Sequence, residues 1–144
     1  MPMSPHLVTV MPPFPHHVDA AQDLWTARAL MDQYGIRHLP VMRDGELAGI
    51  ITHRDIDVSI AVAGDHASEV GIPVWSVCHR DAYVVDIHTS VAEVADTMAN
   101  QQIGSALVTK EGRLAGIVTT VDLCRALASV LRERDRGGGD DDVA

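Results

Sequence analysis

Two copies of one short sequence motif carry the residues best suited to chemistry in this chain. Residues 49–55 and 116–122 both read glycine, two aliphatic residues, threonine, two variable residues and aspartate. Each copy falls where a predicted strand leads into a predicted helix, and the unpaired N–H groups of a helix start favour a phosphate. The threonine hydroxyl can donate one more hydrogen bond, and a carboxylate three residues later can accept both hydroxyls of a ribose. The motif therefore predicts four nucleotide-binding residues, which are Thr52 and Asp55 in the first copy and Thr119 and Asp122 in the second.

The same residues would also cap a helix without binding any ligand. A threonine before the first turn accepts from a free backbone N–H, and an aspartate in that turn interacts favourably with the helix dipole. Capping does not account for Gly49 and Gly116, which allow another group to approach the strand closely. Arg54 adds a guanidinium group that can bind a phosphate, whereas the second copy has Val121 at that position. We therefore expect two unequal sites and favour the first.

The motif belongs to a longer internal repeat. Residues 24–60 align with residues 91–127 without a gap, and ten of the 37 aligned pairs are identical. A shared apolar pattern alone would not place glycine, threonine and aspartate in register in both copies. Self-similarity of this kind indicates one structural unit that the chain uses twice.

Each copy is predicted to form a helix, a strand, a tight turn, a strand and a second helix. Helical periodicity predicts the first helix of each copy, which could begin at Asp19 or Asp23 in the first and follows a capping Ser90 in the second. Glycine-containing turns join each pair of strands, which span residues 38–42 and 47–51, then 106–109 and 114–118. The second helices are predicted over residues 55–63 and 122–134.

One more short strand is predicted upstream of each first helix, at residues 7–10 and 83–87. The longer spacing in the first copy predicts a proline-rich insertion near residues 11–17, because proline excludes regular structure. A short helix is expected near residues 67–70. These features predict a first repeat over residues 1–63, a linker over 64–77, a second repeat over 78–134 and a mobile acidic tail over 135–144.

A sheet of two or three strands cannot bury both of its faces alone. We therefore expect an α+β fold in which two small sheets pack together with the helices outside. The repeat makes this arrangement pseudo-two-fold, and related clefts are expected where the sheets meet.

The ordered set of repeated residues resembles the CBS-domain pair, also called the Bateman module. In the first copy the resemblance is carried by Met31 and residues 35–41, 44–45, 47 and 49–56. In the second it is carried by Met98, Ile103, Val108, Gly112, Leu114, residues 116–119 and residues 122–123. The resemblance covers roughly residues 3–133. It implies tandem β-α-β-β-α domains, adenosine-type ligands in the clefts and a dimer of pairs.

The resemblance also implies roles for individual residues. The threonine of the motif would contact a phosphate, and the aspartate would contact the ribose. The base would lie near Ile36, His38, Pro40, Thr9 and Val10 at the first site, and near Ile103, Ser105, Leu107, Val84 and Val85 at the second. We also expect His38 and His53, the latter inside the first motif, to be nucleotide neighbours.

Composition and charge exclude several classes of protein. The chain of 144 residues carries a formal net charge of −9, which opposes binding to a nucleic-acid backbone. No apolar run approaches the ~20 residues of a membrane span. The first residues do not form a secretory signal, and two cysteines cannot form a disulfide scaffold. A cytoplasmic protein is therefore expected. Neither a GxSxG motif nor a Walker A loop is present, so we expect no enzyme.

These inferences predict a stand-alone regulatory module that senses the energy or nucleotide state of the cell. It would bind AMP, ADP or ATP without a required cofactor, form a homodimer and act on an unknown effector protein. One alternative is a dimerising scaffold with empty clefts. Another is a metal-responsive protein that uses the loop with His16 and His17, although the histidines have no zinc-ligand spacing and no metal site is assigned.

Overall fold

The structure is a computed structural model that describes residues 5–12, 15–64 and 71–138. Residues 15–64 and 71–83 form one compact unit, and residues 5–12 and 84–138 form the other. These units differ from the predicted repeats, because each unit contains the opening segment of the other repeat. The helix predicted near residues 67–70 lies outside the described residues, as do residues 139–144 of the predicted tail.

The first described element is one helical turn, α1 (Leu7–Val10), so the strand predicted there was wrong. The backbone N–H groups of Val10 and Met11 donate to the carbonyls of His6 and Leu7 at 3.1 and 2.9 Å. β-branched residues such as Val8 and Val10 favour strands only where neighbouring strands pack on them. The helical turn instead buries Leu7 completely and leaves Val8 61% exposed.

A three-stranded sheet organises the unit of residues 15–83. Its strands are β1 (Val18–Asp19), β2 (His38–Arg43) and β3 (Glu46–Thr52), in that spatial order. Strand β1 runs parallel to β2, and β3 runs antiparallel to it. Helix α2 (Leu24–Tyr34) connects β1 to β2, helix α3 (His53–Ala63) follows β3, and a 3₁₀ turn forms at Val74–Ser76.

The second unit repeats this architecture. It contains β4 (Val84–Asp86), α4 (Val91–Gln101), β5 (Ser105–Lys110), β6 (Arg113–Thr119) and α5 (Thr120–Gly138). Its sheet has the order β4-β5-β6, with β4 parallel and β6 antiparallel to β5. Helix α5 continues past the predicted end at residue 134, so residues 135–138 are helical and do not belong to a mobile tail. Arg136 is a good helix former, whereas Asp135 and the two glycines are not, so intrinsic propensity did not predict this extension.

The repeat is more regular than the sequence analysis predicted. Val18 of β1 and Val85 of β4 are separated by 67 positions, as are Met31 and Met98 in the helices that follow. The spacing from first strand to first helix is therefore equal in the two copies, and the predicted insertion of extra residues was wrong. The mistake arose because residues 7–10 were paired with residues 83–87, although their true counterpart is the 3₁₀ turn at Val74–Ser76.

Local capping residues set the helix starts. The side chain of Asp23 accepts from the backbone N–H of Thr26 at 2.9 Å and begins α2, which resolves the choice between Asp19 and Asp23. The backbone N–H of Asp19 instead donates to the side chain of Gln22 at 2.9 Å. The predicted cap of α4 is confirmed, since the Ser90 hydroxyl accepts from the backbone N–H of Glu93 at 3.1 Å. A side-chain cap at each start satisfies N–H groups that have no partner inside the helix.

Both predicted hairpin turns are confirmed. The central residues of the β2–β3 turn, Asp44 and Gly45, have φ angles of 52° and 80°. Their counterparts Glu111 and Gly112 have φ angles of 53° and 77°. Two successive positive φ values match the right-handed twist of the strands and fix their register. That register places Gly49 and Gly116 opposite the buried Val41 and Val108.

Candidate functional site

The first motif builds the start of helix α3. The Thr52 hydroxyl accepts from the backbone N–H of Asp55 at 3.1 Å, and Asp55 Oδ2 accepts from the backbone N–H of Thr52 at 3.2 Å. This reciprocal arrangement is a capping box, in which each side chain satisfies a backbone donor of the other residue. The capping interpretation of the motif is therefore correct. It does not exclude a ligand, because hydroxyl and carboxylate oxygens can each take part in more than one hydrogen bond.

His79 supplies a third partner for the Asp55 carboxylate. Its Nε2 atom lies 3.0 Å from Asp55 Oδ2, and the two side chains are 56% and 24% exposed. Burial alone would raise the pKa of Asp55, but hydrogen bonds from Thr52 and His79 outweigh this and hold the pKa below its ordinary value. Asp55 is therefore a stable anion at neutral pH, as a group that accepts the hydroxyls of a ribose should be.

The close approach predicted at the two glycines is made by the chain itself. Ile50 and His79 form two backbone hydrogen bonds of 2.8 and 2.9 Å, which draw the segment of His79 against β3. A Cβ atom on Gly49 would overlap the carbonyl oxygen of His79. A Cβ atom on Gly116 would lie 2.7 Å from the Met11 sulfur. Each glycine thus leaves room for the segment that opens the other repeat.

The second motif forms a similar but simpler cap. Asp122 Oδ2 accepts from the backbone N–H and the hydroxyl of Thr119 at 2.8 and 3.0 Å. The backbone N–H of Asp122 donates to the same hydroxyl at 3.4 Å. Pro12 lies 67 positions before His79, so this carboxylate has no histidine at the equivalent position. The two carboxylates therefore differ in their surroundings, as expected of unequal sites.

The structure brings some of the predicted neighbours to the first motif. His38 pairs directly with Thr52 across β2 and β3, Pro40 pairs with Ile50, and Arg54 is exposed in the first turn of α3. Ile36 is partly buried just before β2. Thr9 and Val10 lie in α1, which belongs to the other compact unit, and the Thr9 hydroxyl donates to the carbonyl of His6 at 2.8 Å.

His53 is held by carboxylates beside helices α2 and α3. Its Nδ1 and Nε2 atoms lie 3.1 and 3.4 Å from Asp57 Oδ2 and Asp32 Oδ1. Arg28 adds a contact of 3.7 Å to the other oxygen of Asp57. These contacts occupy both ring nitrogens of His53, so its role as a nucleotide neighbour has no support in this geometry.

At the second motif, the predicted neighbours lie on two strands. Ser105 pairs with Thr119 across β5 and β6, and Ile103 precedes β5. Val84 and Val85 lie on β4 and pair with Leu107 and Val108 of the central strand. Val85 is buried, whereas Val84 is 45% exposed.

The sequence analysis missed His79 as a residue of the first site. Its partner Asp55 lies 24 positions away in the chain, so no local spacing connects them. The only available signal was Gly49, which required some segment to approach β3 closely. The sequence did not show which segment approaches β3, so it could not identify His79.

Two features of the described residues concern a metal site and a membrane span. Within residues 5–12, 15–64 and 71–138, no three His, Cys, Asp or Glu side chains are grouped so that they could hold a metal ion. His16 instead stacks on Tyr34 with ring centroids 3.6 Å apart. In the same part of the chain, no helix combines the length and the apolar character that a membrane crossing requires.

Comparison with known proteins identifies the family of both repeats. The sequence model of the CBS domain matches residues 3–61 and again residues 74–129. Hypoxic response protein 1 of Mycobacterium tuberculosis is 31% identical over 107 residues, which are 74% of this chain and 73% of that protein. These matches span both copies of the internal repeat.

Solved structures share the fold. A protein named AcuB from Vibrio cholerae superposes with a TM-score of 0.80 at 24% identity, covering 93% of this chain and 98% of that one. The CBS domain pair of protein MJ0100, in complex with 5′-methylthioadenosine and S-adenosyl-L-methionine, has a TM-score of 0.76 at 22% identity over 88% and 98% of the two chains. CBSX2 in complex with AMP has a TM-score of 0.72 at 21% identity over 87% and 97%.

Proposed function

The chain belongs to the CBS-domain family, and from this premise we propose that it is a regulatory module that binds an adenine nucleotide. The observation that carries the proposal is the doubled motif of threonine and aspartate at the starts of α3 and α5. The Asp55 carboxylate is ionised and 24% exposed, and its capping partner Thr52 pairs with His38 on the neighbouring strand. A phosphate at the helix start and a ribose on Asp55 fit this arrangement.

Ligands in the two related structures support an adenosine-type compound. The MJ0100 pair holds 5′-methylthioadenosine and S-adenosyl-L-methionine, and CBSX2 holds AMP. These compounds share the adenosine group and differ in what is attached to it. We propose that AMP, ADP or ATP binds this chain, with Thr52, Asp55, Arg54, His38, Pro40 and Ile36 at the first site and Thr119, Asp122, Ser105 and Ile103 at the second.

We further propose that the chain acts by binding and not by catalysis, within the cytoplasm, as a homodimer that passes its ligand state to an effector protein. Helix α5 supports self-association, because Leu127 and Leu131 are 59% and 47% exposed on it. Ligand binding acts on such a partner only if it favours one of two arrangements of the protein. Light scattering of the purified chain, with and without AMP, measures both the dimer and its response.

A thermal-shift titration with AMP, ADP and ATP tests the binding proposal. A ligand at 100 times its Kd stabilises the folded chain by about 2.7 kcal/mol, which moves the melting temperature by several degrees. Asp55→Ala should weaken binding by about 1–3 kcal/mol, because a ribose hydroxyl loses its acceptor. Glu46→Ala is the control, since it removes an exposed carboxylate of the same unit outside the motif. A melting temperature that no adenine nucleotide shifts would instead favour a scaffold without a ligand.

A further inference from the structure

The two motifs differ sharply in the positive charge around them. Three arginines lie within the first motif or on segments that contact it, and the positions 67 residues away from them carry no charge. The pairs are Arg37 and Gly104, Arg54 and Val121, and Arg80 and Pro13. The two histidines at the first motif follow the same rule, since His38 corresponds to Ser105 and His79 to Pro12. The two motifs therefore share the threonine and the aspartate but differ at these five positions.

The three arginines lie on segments that meet at the start of α3. The carbonyl of Arg37 accepts from the backbone N–H of His53 at 2.8 Å, which places Arg37 beside the first turn of that helix. Arg54 is the second residue of α3. The Cα atom of Arg80 lies 3.4 Å from the point where a Cβ atom on Gly49 would stand. All three residues belong to the unit of residues 15–83.

These guanidinium groups are available to a ligand. All three arginines are exposed, and none forms an ion pair with a carboxylate among the residues that the structure describes. His53 shows the opposite situation, because Asp57 and Asp32 hold both of its ring nitrogens. The carboxylate of the first motif, Asp55, already has His79 as its partner.

We propose that the first site selects adenosine compounds that carry phosphates, whereas the second site takes adenosine compounds without phosphate. This inference rests on the proposed function. A guanidinium fork binds phosphate oxygens in two parallel hydrogen bonds and offsets the loss of their hydration. At the second motif, where these three positions carry no arginine, a phosphate would meet the helix start and the Thr119 hydroxyl, beside the Asp122 carboxylate. A neutral or cationic group on the 5′ carbon suits that site better.

Calorimetric titration with adenosine and with ADP separates the two sites when one is disabled. In Asp122→Ala, which leaves the first site, ADP should bind at least about tenfold tighter than adenosine, as expected for hydrogen bonds to a charged group. ADP binding there should weaken as salt is added, and adenosine binding should not. In Asp55→Ala, which leaves the second site, ADP should bind no tighter than adenosine.

Exchange of Arg54 and Val121 tests whether the arginine causes the preference for phosphate. Arg54→Val, made with Asp122→Ala, should remove most of the preference for ADP over adenosine. Val121→Arg, made with Asp55→Ala, should create a preference for ADP at the second site. Arg132→Val is the matched control, because it removes an exposed arginine of α5 that has no counterpart at either motif. The melting temperature of each variant without ligand verifies that it is folded.

The outcomes distinguish the two proposals. If neither adenosine nor ADP binds the wild-type chain, the proposed function fails and the inference fails with it. If both compounds bind but the ratio of their affinities is the same at the two sites, the inference is overturned and the nucleotide module stands. A ratio that differs between the sites but does not respond to Arg54→Val or Val121→Arg would also overturn the assignment to these arginines.

Discussion

The Nε2 atom of His79 lies 3.0 Å from Asp55 Oδ2 and joins the segment after the 3₁₀ turn to the first turn of α3. The backbone of His79 is fixed to Ile50 by two hydrogen bonds, whereas its ring is 56% exposed. A ribose that binds Asp55 therefore meets a carboxylate whose histidine partner can turn toward solvent without disturbing the sheet.

Replacement of His79 should change the titration of Asp55. His79→Ala removes one of the hydrogen bonds that lower the pKa of Asp55, so that pKa should move up toward its ordinary value of 3.8. Carbon-13 NMR of the aspartate carboxyl groups measures this directly. His88→Ala, which removes another exposed histidine, should leave the resonance of Asp55 unchanged; an identical shift in both variants would contradict the assignment.

The same interaction predicts a dependence of stability on pH. The pKa of Asp55 is lower in the folded chain than in the unfolded chain, so its contribution to stability is fully present above the unfolded value of about 3.8. That contribution is lost as the pH falls through the lowered folded value. Urea denaturation between pH 6 and pH 2 (about the range needed for a carboxyl group) should therefore show a smaller loss for Asp55→Asn than for wild type. Equal losses would mean that Asp55 is not stabilised as an anion.

The two motif glycines should differ in their tolerance of alanine. In Gly49→Ala the new Cβ atom meets a backbone carbonyl that two hydrogen bonds hold in place. In Gly116→Ala it meets the side chain of Met11, which can rotate away. Overpacking lowers the free energy of unfolding by about 1–3 kcal/mol. We expect the loss in Gly49→Ala to reach or exceed the upper end of this range, and the loss in Gly116→Ala to stay at or below its lower end. Urea denaturation compares them, and a larger loss for Gly116→Ala would refute the argument.

The helical turn at the start of the chain should contribute to stability through one residue. Leu7 is completely buried, so Leu7→Ala should destabilise its unit by about 2–5 kcal/mol. The neighbouring Val8 is 61% exposed, and Val8→Ala should have almost no effect. If residues 7–10 formed a strand, alternate side chains would be buried and Thr9 would accompany Leu7. Thr9 is exposed in the helical turn, so Thr9→Glu should be tolerated, and a loss as large as that of Leu7→Ala would contradict the helical turn.

Thr52 should matter to stability even without a ligand. Thr52→Val keeps the shape of the side chain but removes the acceptor for the backbone N–H of Asp55, which should cost about 1 kcal/mol. Thr52→Ser keeps the acceptor and serves as the control. Thermal denaturation of the two variants in the absence of nucleotide gives the capping contribution, and their nucleotide affinities then show what the hydroxyl adds to binding. Equal melting temperatures for both would show that the cap is unimportant.

Local features of the fold were predictable because their causes lie a few residues apart. The capping hydrogen bonds of Thr52, Ser90 and Asp23 each span three positions, and the hairpin turns need only two residues of positive φ. The register of the internal repeat followed from residue identities alone. The strand at Val18–Asp19 was missed because it is two residues long and shows no alternation of its own.

The sequence by itself determined the repeated pattern of helix, strand, turn, strand and helix, the cap of α4 and the residues at the two motifs. Only the tertiary structure decided which segments approach those motifs. His79 reaches Asp55 across 24 positions, and Asp32 binds His53 across 21. Contacts of this kind depend on where the chain returns to a sheet. That return is governed by the burial of residues such as Leu7 and Val74 in the core. The contacting residues themselves therefore show no periodic pattern in the sequence. For this reason the sequence showed that the chain contains many histidines but did not show that His79 is the one that contacts Asp55.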